Sequence, residues 1–303
     1  MRQGEGEIPL PLTPSRQGRE NYEVEVVKVV TDSCSDITPQ LAQELGITVV
    51  PLYVQFGNET YRDNVDLSTE EFYHKLQIGK IHPATSTATP ADFAKTFTKL
   101  AEETKEILTI TLSEKFSGTY TAALQGKATV SKDYHIEIID SKVGAGAQML
   151  LVISAAKMAQ AGANLEQIAD WVRRAIPRAH VRMSFDTLEY LRRGGRIGRA
   201  QAFLGSLLKV NPIVGIKDGE TFPIARFRNR TQAIDFLVNF VRGFSRIEAV
   251  AIEDATTPDD LQTLAERLED VVPSERIYRS KVSPVVGTHV GPHVLSVSVL
   301  EAI

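Results

Sequence analysis

The chain has a single cysteine, Cys34, in 303 residues. An internal disulfide is therefore excluded, as is a thiolate cluster for zinc or an iron–sulfur centre, and Cys34 reads as a small buried hydrophobe. Long apolar runs are equally scarce. No segment reaches the ~18 to 20 uninterrupted apolar residues that a bilayer-spanning helix needs, and the opening segment lacks the basic-then-apolar order of a signal peptide. A soluble, cytoplasmic chain with no integral membrane association is expected. Nucleotide chemistry has no visible footing either, since there is no glycine-rich phosphate loop closed by lysine and no GxGxxG dinucleotide fingerprint. The formal net charge of -4 supplies no general attraction for nucleic acid.

What is present, 43% hydrophobic and 24% charged side chains, suits a folded chain large enough for two ordinary domains. Residues 1–25 carry Gly4, Gly6, Pro9, Pro11, Pro14 and Gly18 with little periodic apolar pattern and read as a flexible tail. From Val26 onward, short β-rich runs alternate with helical segments. Thr38-Pro39 opens a helix that Gly46 ends, because a hydroxyl cap satisfies an orphan amide and proline needs no partner at the first position. Ile47 to Val54 reads as one strand, with Pro51 an awkward member of any fully paired ladder. Ile107 to Leu112 and Ile136 to Ile139 are further strands, each leading through a hydroxyl-bearing loop into a helix. Such alternation implies a mostly parallel sheet covered on both faces.

The pattern changes between about residues 162 and 178. Beyond it, Val210 to Ile216 returns through an Asp218-Gly219 turn as a hairpin. Near the end of the chain Leu295, Val297 and Val299 alternate with Ser296 and Ser298, giving one apolar and one more polar strand face. The expected fold class is α/β: an N-terminal mostly parallel sheet covered by helices over residues 26–170, then a second α/β domain over 171–303 containing a mixed or antiparallel sheet.

Loops at the carboxyl ends of parallel strands gather beside helix amino termini and make a crevice suited to a small anion. Here those loops are rich in hydroxyls. Thr89, Pro90 and Asp92 form a capped helix start, which leaves Thr85 and Ser86 just outside it, where two hydroxyls and nearby amides suit a carboxylate or phosphate. The same hydroxyls can serve only their own backbone, and the local pattern leaves both roles open. Ser117-Gly118-Thr119 offers a second anion contact, Gly118 allowing close backbone approach, although Ser117 can equally cap the following helix.

A Ser-His-Asp hydrolase drawn from Ser86 or Ser117 and His289 lacks the GxSxG elbow, so no catalytic residue is assigned. His289 and His293 flank Gly291-Pro292, which reads as a loop rather than a helix presenting both imidazoles, and no metal set is assigned. His289 could instead donate to a bound carboxylate. Arginines crowd the stretch from Arg173 to Arg199. They can bind phosphate, pair with an acidic partner or stand as solvated surface, and they lack the interleaved aromatics of a nucleic-acid stacking platform. Around them Phe185, Leu188, Leu191, Ile197, Phe203, Leu204 and Leu207 are candidate walls for an apolar ligand tail, or ordinary core.

Six separated segments occur in a fixed order: Thr31-Asp32-Ser33-Cys34-Ser35-Asp36, Thr85-Ser86, Phe116-Ser117-Gly118-Thr119-Tyr120, Asp140-Ser141, Leu191-Arg192-Arg193-Gly194-Gly195-Arg196-Ile197 and His289-Val290-Gly291-Pro292. Together they resemble the DegV family, whose members are fatty-acid-binding proteins, from about Val26 to Val299. The resemblance implies a carrier rather than an enzyme, with a long-chain fatty acid as ligand and no cofactor. By it, Thr85 and Ser86, Ser117 beside Gly118, and His289 contact the carboxylate, while the second domain encloses the acyl tail. Some bacterial members look like binding subunits of a fatty-acid kinase system. That implies an ATP-dependent fatty-acid kinase subunit as partner, with Arg192, Arg193, Arg196 and Arg199 as candidates for docking or anion contact. Thr87-Ala88 departs from the frequent Gln-Pro pair of the family, and His293 stands where glycine is common. The competing expectations are a lipid hydrolase or phosphotransfer enzyme and, further off, a nucleic-acid-binding module.

Overall fold

The computed structural model describes residues 26–79, 81–204 and 210–302. The expected tail, 1–25, and the candidate wall residue Leu207 lie outside them. The chain begins with β1 (Lys28–Asp32), α1 (Pro39–Leu45) and β2 (Ile47–Val50). At α1 the Thr38 side chain accepts from the Leu41 amide, and Gly46 leaves the helix at φ 65°, the left-handed region in which a side chain is costly. The single strand expected from Ile47 to Val54 is in fact two. Proline has no amide for the ladder, so pairing stops at Pro51, and β3 (Tyr53–Phe56) departs to pair antiparallel with β4 (Glu59–Arg62).

There follow α2 (Thr69–Ile78), β5 (Ala84–Ser86), α3 (Pro90–Leu100), β6 (Glu106–Thr111), α4 (Thr119–Lys127) and β7 (His135–Asp140). Capping boxes start α2, from Ser68 and Glu71, and α3, from Thr89 and Asp92. The stretch holding Thr85 and Ser86, expected as a loop, is a short edge strand: β5 joins β3 in a three-stranded antiparallel sheet of order β4-β3-β5.

The larger first sheet is parallel throughout, in the order β2-β1-β6-β7. Strand order reverses between β1 and β6, and at such a switch point the connections leave in opposite directions and open a crevice at the carboxyl ends. Asp32, at the end of β1, holds the edges of this crevice together. Its carboxylate accepts from the Cys34 amide at 3.0 Å, the Leu112 amide at 2.8 Å and Gln148 Nε2 at 3.2 Å.

The second half contributes α5 (Ala145–Gln160), α6 (Leu165–Ala175), β8 (Ala179–Ser184), α7 (Glu189–Arg193), β9 (Asn211–Lys217) and β10 (Glu220–Phe227). It ends with α8 (Arg230–Arg242), β11 (Ile247–Asp254), α9 (Pro258–Glu266), β12 (Ile277–Lys281), α10 (Pro284–Val290) and β13 (Leu295–Glu301). Six strands order as β10-β9-β8-β13-β11-β12, antiparallel except for β11 beside β12. The expected hairpin forms between β9 and β10, with positive φ at both Asp218 and Gly219. The fold is therefore two α/β units, a parallel one and a mixed one.

α5 is the layer between them. It packs on β1 and β6 on one side and on β8, β11 and β13 on the other. That double contact explains why 12 of its 16 residues are buried, where a helix with one face in water would keep a polar stripe. It also changes the meaning of the polar face of β13. Leu295, Val297 and Val299 join the core under α8 and α9, while Ser296 and Ser298 lie buried on the opposite face, the one that α5 covers. Finally α10 packs against α7 and also against α2, β3 and β5 of the first half. The chain thus returns to the first unit just before its last strand. Among the described residues no helix is long and apolar enough to cross a membrane.

Candidate functional site

A cavity of about 740 Å³, its open mouth included, lies where the two units meet, and its walls come from both. From the first unit come Cys34, which follows β1, and Leu112, Phe116 and Ser117, which follow β6, so the cavity occupies the switch-point crevice. β5 adds Thr85 and Ser86, and Thr87 follows it. From the second come Met183 on β8, Arg196 after α7, Ile216 on β9, and Val285, His289 and Val290 on α10. The lining is mostly apolar, with polar groups supplied by a few side chains, which is the composition of a site that orients a ligand by one end and buries the rest.

His289, expected in a loop, stands instead on the last turn of α10, a helix that Pro284 starts and that ends at Gly291, φ 82°. His293 falls in the turn beyond it. The helix carries the imidazole across 204 residues of sequence separation to Thr85, with Nε2 and Oγ1 2.9 Å apart. The other ring nitrogen, Nδ1, is buried with no hydrogen-bond partner among the described residues. Burial, helped by the nearby Arg196 charge, pushes the imidazole pKa down to about 3, so the ring is neutral at physiological pH. A proton on Nδ1 would be buried without an acceptor, which is costly, so we assign the ring proton to Nε2. Nε2–H then donates to Thr85 Oγ1 and leaves the Thr85 hydroxyl proton free to point at a ligand.

A second hydroxyl group faces the same cavity. Thr87 Oγ1 lies 2.8 Å from Thr119 Oγ1, which lies 2.9 Å from Ser117 Oγ. Ser117 does not cap α4. The cap position belongs to Gly118, which makes no side-chain cap bond and is not part of the cavity lining. Thr85 caps nothing either, since α3 is already capped by Thr89. Of the sequence candidates, Thr85, Ser86, Ser117 and His289 thus border one cavity. Thr119, read in the sequence with Ser117 and Gly118 as a second anion contact, links Ser117 to Thr87, which sequence reasoning missed and whose one visible signal is the hydroxyl run Thr85-Ser86-Thr87.

Among the described residues, Leu191 is the one expected acyl-wall residue in the lining. Phe185, Leu188 and Ile197 are core, Phe203 is half-buried against that core, and Leu204 is exposed. The apolar wall comes instead from residues far apart in sequence, such as Leu52, Leu112, Met183 and Val285. The four arginines also separate. Arg192 and Arg193 are exposed and both pair with Glu189 at 2.7 Å. Arg199 lies within 4 Å of Asp218 and Glu220. Arg196 turns inward to line the cavity, where its Nε donates to the Phe116 carbonyl at 2.9 Å and its Nη1 to the Gly194 carbonyl at 2.7 Å. It bridges the loop before Ser117 to the segment behind His289.

Behind the Cys34 wall, carboxyl groups are buried without cationic partners among the described residues. Both oxygens of Asp63, Asp36 Oδ2 and Glu253 Oε2 lack hydrogen-bond partners among the described residues. Burial pushes Asp63 up to about 7, against weaker opposing pulls from Ser33, the Val285 amide and Ser283, and pushes Asp32 up to about 6. Asp36 and Glu253 are raised by burial as well, and Asp36 further by the Glu253 charge, while Asp36 accepts from the Ser283 amide at 3.1 Å. Cys34 stays a thiol for the same reason. No cluster suited to a metal ion occurs among the described residues.

Comparison with known proteins agrees with this architecture. A family model described as an uncharacterised protein of the DegV family matches residues 26–302. A DegV domain-containing protein of Caldanaerobacter subterraneus subsp. tengcongensis is 37% identical over 273 residues, 89% of this chain and 96% of that protein. Among solved structures, a DegV family protein from Thermus thermophilus, described by its fatty acid binding, superposes with a TM-score of 0.84 at 30% identity, covering 91% of this chain and 99% of that one. DegV from Bacillus subtilis, described as a fatty acid binding protein, gives a TM-score of 0.82 at 28% identity over 92% of this chain and all of its own. With a family match that spans all three sheets and every segment of the cavity wall, the chain belongs to the DegV family.

Proposed function

We propose that this protein is a carrier for a long-chain fatty acid, holding the carboxylate at Thr85, Ser86 and Ser117, with His289 orienting the Thr85 hydroxyl, and burying the tail between its two units. The carrying observation is the composition of one cavity: an apolar wall drawn from both units with hydroxyls and a neutral imidazole converging on it. Hydroxyl donors satisfy a carboxylate, and each methylene moved out of water contributes on the order of 0.8 kcal/mol. The relatives described as fatty acid binding support the same ligand class.

The arrangement favours holding over hydrolysis. A serine nucleophile needs a base that is itself oriented by a third group. His289 is engaged by Thr85 rather than by a serine, and its Nδ1 meets no carboxylate among the described residues. The reading extends to delivery: the carrier presents its acid to a separate ATP-dependent fatty-acid kinase, with exposed Arg192, Arg193 and Arg199 available to an acidic docking surface. Native mass spectrometry of protein purified without added lipid tests the ligand. A bound mass that exchanges with added long-chain fatty acid is expected, and repeated absence of capture or exchange overturns the reading. Acyl phosphate formation by a fatty-acid kinase subunit and ATP, compared with and without this chain, tests delivery; equal conversion without it rejects an obligate presenting role.

A further inference from the structure

Gly194 and Gly195 are adjacent, yet the structure requires glycine at each for a different reason. At Gly195 φ is +71° and a Cβ would meet nothing within 4 Å among the described residues, so the demand there is conformational. At Gly194 the backbone, φ -74° and ψ -8°, is one that any residue adopts. The demand there is for space. A Cβ on Gly194 would overlap His289 Nδ1 and stand 2.9 Å from Cε1 and 3.2 Å from Cγ of the same ring.

Neither side of this contact has slack. Arg196 holds the Gly194 carbonyl from one side while fastened to the Phe116 carbonyl on the other. The imidazole is held at its far edge by Thr85, and α10 beneath it is packed between α7, α2 and β5. Gly291, at the end of α10, approaches the Tyr190 ring so closely that a Cβ there would lie 2.5 Å from it. To accept even a methyl group at position 194, the His289 ring would have to retreat by roughly 1 Å, since packed carbons tolerate little approach below van der Waals contact. That retreat breaks the Nε2 to Thr85 bond.

We infer that Gly194 is a positioning residue for ligand binding: its bare Cα is the wall against which the His289 imidazole stands, keeping Nε2 on Thr85 and the Thr85 proton on the ligand. The inference rests on the carboxylate-site reading above for its functional consequence, but the seat itself is a property of the ligand-free chain. Arg196 extends the same device, because one guanidinium fixes both the seat of His289 and the backbone leading to Ser117. The two arms of the site are thereby set at a fixed separation.

The experiment compares Gly194→Ala, Gly195→Ala, His289→Ala and the Gly194→Ala/His289→Ala double variant. Fatty-acid affinity is measured by equilibrium binding, and the His289 imidazole is titrated by NMR in ligand-free protein. Gly194→Ala is expected to weaken binding tenfold or more and to move the imidazole titration from about 3 toward the ordinary histidine value as the displaced ring meets water. In the His289→Ala background the same substitution is expected to change affinity less than twofold, because the group it displaces is gone. Gly195→Ala is expected to lower stability without moving the His289 titration. If Gly194→Ala alone does not fold, the double variant should fold again, and a double variant that remains unfolded overturns the seat. The seat is equally overturned by an unmoved titration in Gly194→Ala, or by an affinity loss that persists undiminished without His289. Failure of the wild-type chain to bind fatty acid would sink the carboxylate reading, while the titration in ligand-free protein would still decide the role of Gly194.

Discussion

Replacing Thr85 by valine separates two energies that the site combines. Valine has the shape of threonine and suits an edge strand, so β5 and its pairing with β3 remain. What disappears is one hydroxyl with two roles. In the ligand-free protein it accepts from His289 Nε2 at 2.9 Å, and its loss strands a buried N–H, a cost of about 1 to 3 kcal/mol. That cost is present with and without ligand and therefore registers as stability, not affinity. In the complex the hydroxyl also donates to the carboxylate, a charge-assisted bond worth about 1.5 to 3 kcal/mol, or roughly 10- to 150-fold in dissociation constant. Two assays read the two terms: equilibrium binding of a labelled long-chain fatty acid, and urea unfolding of the ligand-free protein. Thr85→Ser, which keeps the hydroxyl, is expected to recover most of both. Binding by Thr85→Val within twofold of wild type would refute the assignment of Thr85 to the carboxylate, whatever its stability.

Three other outcomes follow from the same geometry. Because the folded carboxyl of Asp63 sits near 7, above its ordinary value of 3.8, the folded state binds the extra proton; its contribution to stability is full below about pH 4 and is lost as pH rises through about 7. Asp63→Asn should flatten the fall in urea midpoint between those pH values and make the variant the more stable protein at pH 8, by an amount on the order of a few kcal/mol at most; parallel pH profiles would contradict this. Competition among saturated acids should show about 15-fold weaker binding for each two carbons removed, from ~0.8 kcal/mol per methylene, and a flat series would show that the tail is not buried. Arg192→Ala with Arg193→Ala should leave acid affinity within twofold, because both side chains pair with Glu189 at the surface and such pairs contribute at most about 1 kcal/mol; a slower kinase reaction in this variant at saturating acid marks the docking face, and an unchanged rate removes these two arginines from it.

Features governed by a few consecutive residues are legible in the amino-acid sequence. The Ser68, Thr89 and Thr38 helix starts, the Gly46 stop and the Asp218-Gly219 hairpin are decided by hydrogen bonds and φ angles within four residues. The polar cavity residues Thr85, Ser86, Ser117 and His289 are legible too, through ordered segments whose spacing carries the family resemblance rather than through any local chemical necessity. Where the fold departs from the sequence pattern, a longer-range effect intervenes. Pro51 is awkward in any ladder, but that β3 leaves for a separate sheet depends on β4 and β5 being present to receive it. Gly291 and Pro292 suggest a loop around His289, yet they lie just past the helix rather than in it.

Side-chain destination is what tertiary structure alone decided. Arg192, Arg193, Arg196 and Arg199 look alike in sequence, yet only Arg196 among these four turns into the cavity, because the carbonyls of Phe116 and Gly194 meet there to receive it. The apolar residues beside them went mostly to ordinary core, while the cavity wall was assembled from residues such as Leu52, Leu112, Met183 and Val285, brought together by α5 filling the space between two sheets. Periodicity reports that a residue is buried but not which neighbour it is buried against. The sequence by itself therefore determined the elements, their caps and the kinds of group available to bind an acid. The meeting of Thr85 with His289 across 204 residues, and the bare wall at Gly194 that holds it, exist only once the two units are packed, because contacts at that separation are set by the packing of whole elements and not by the residues on either side.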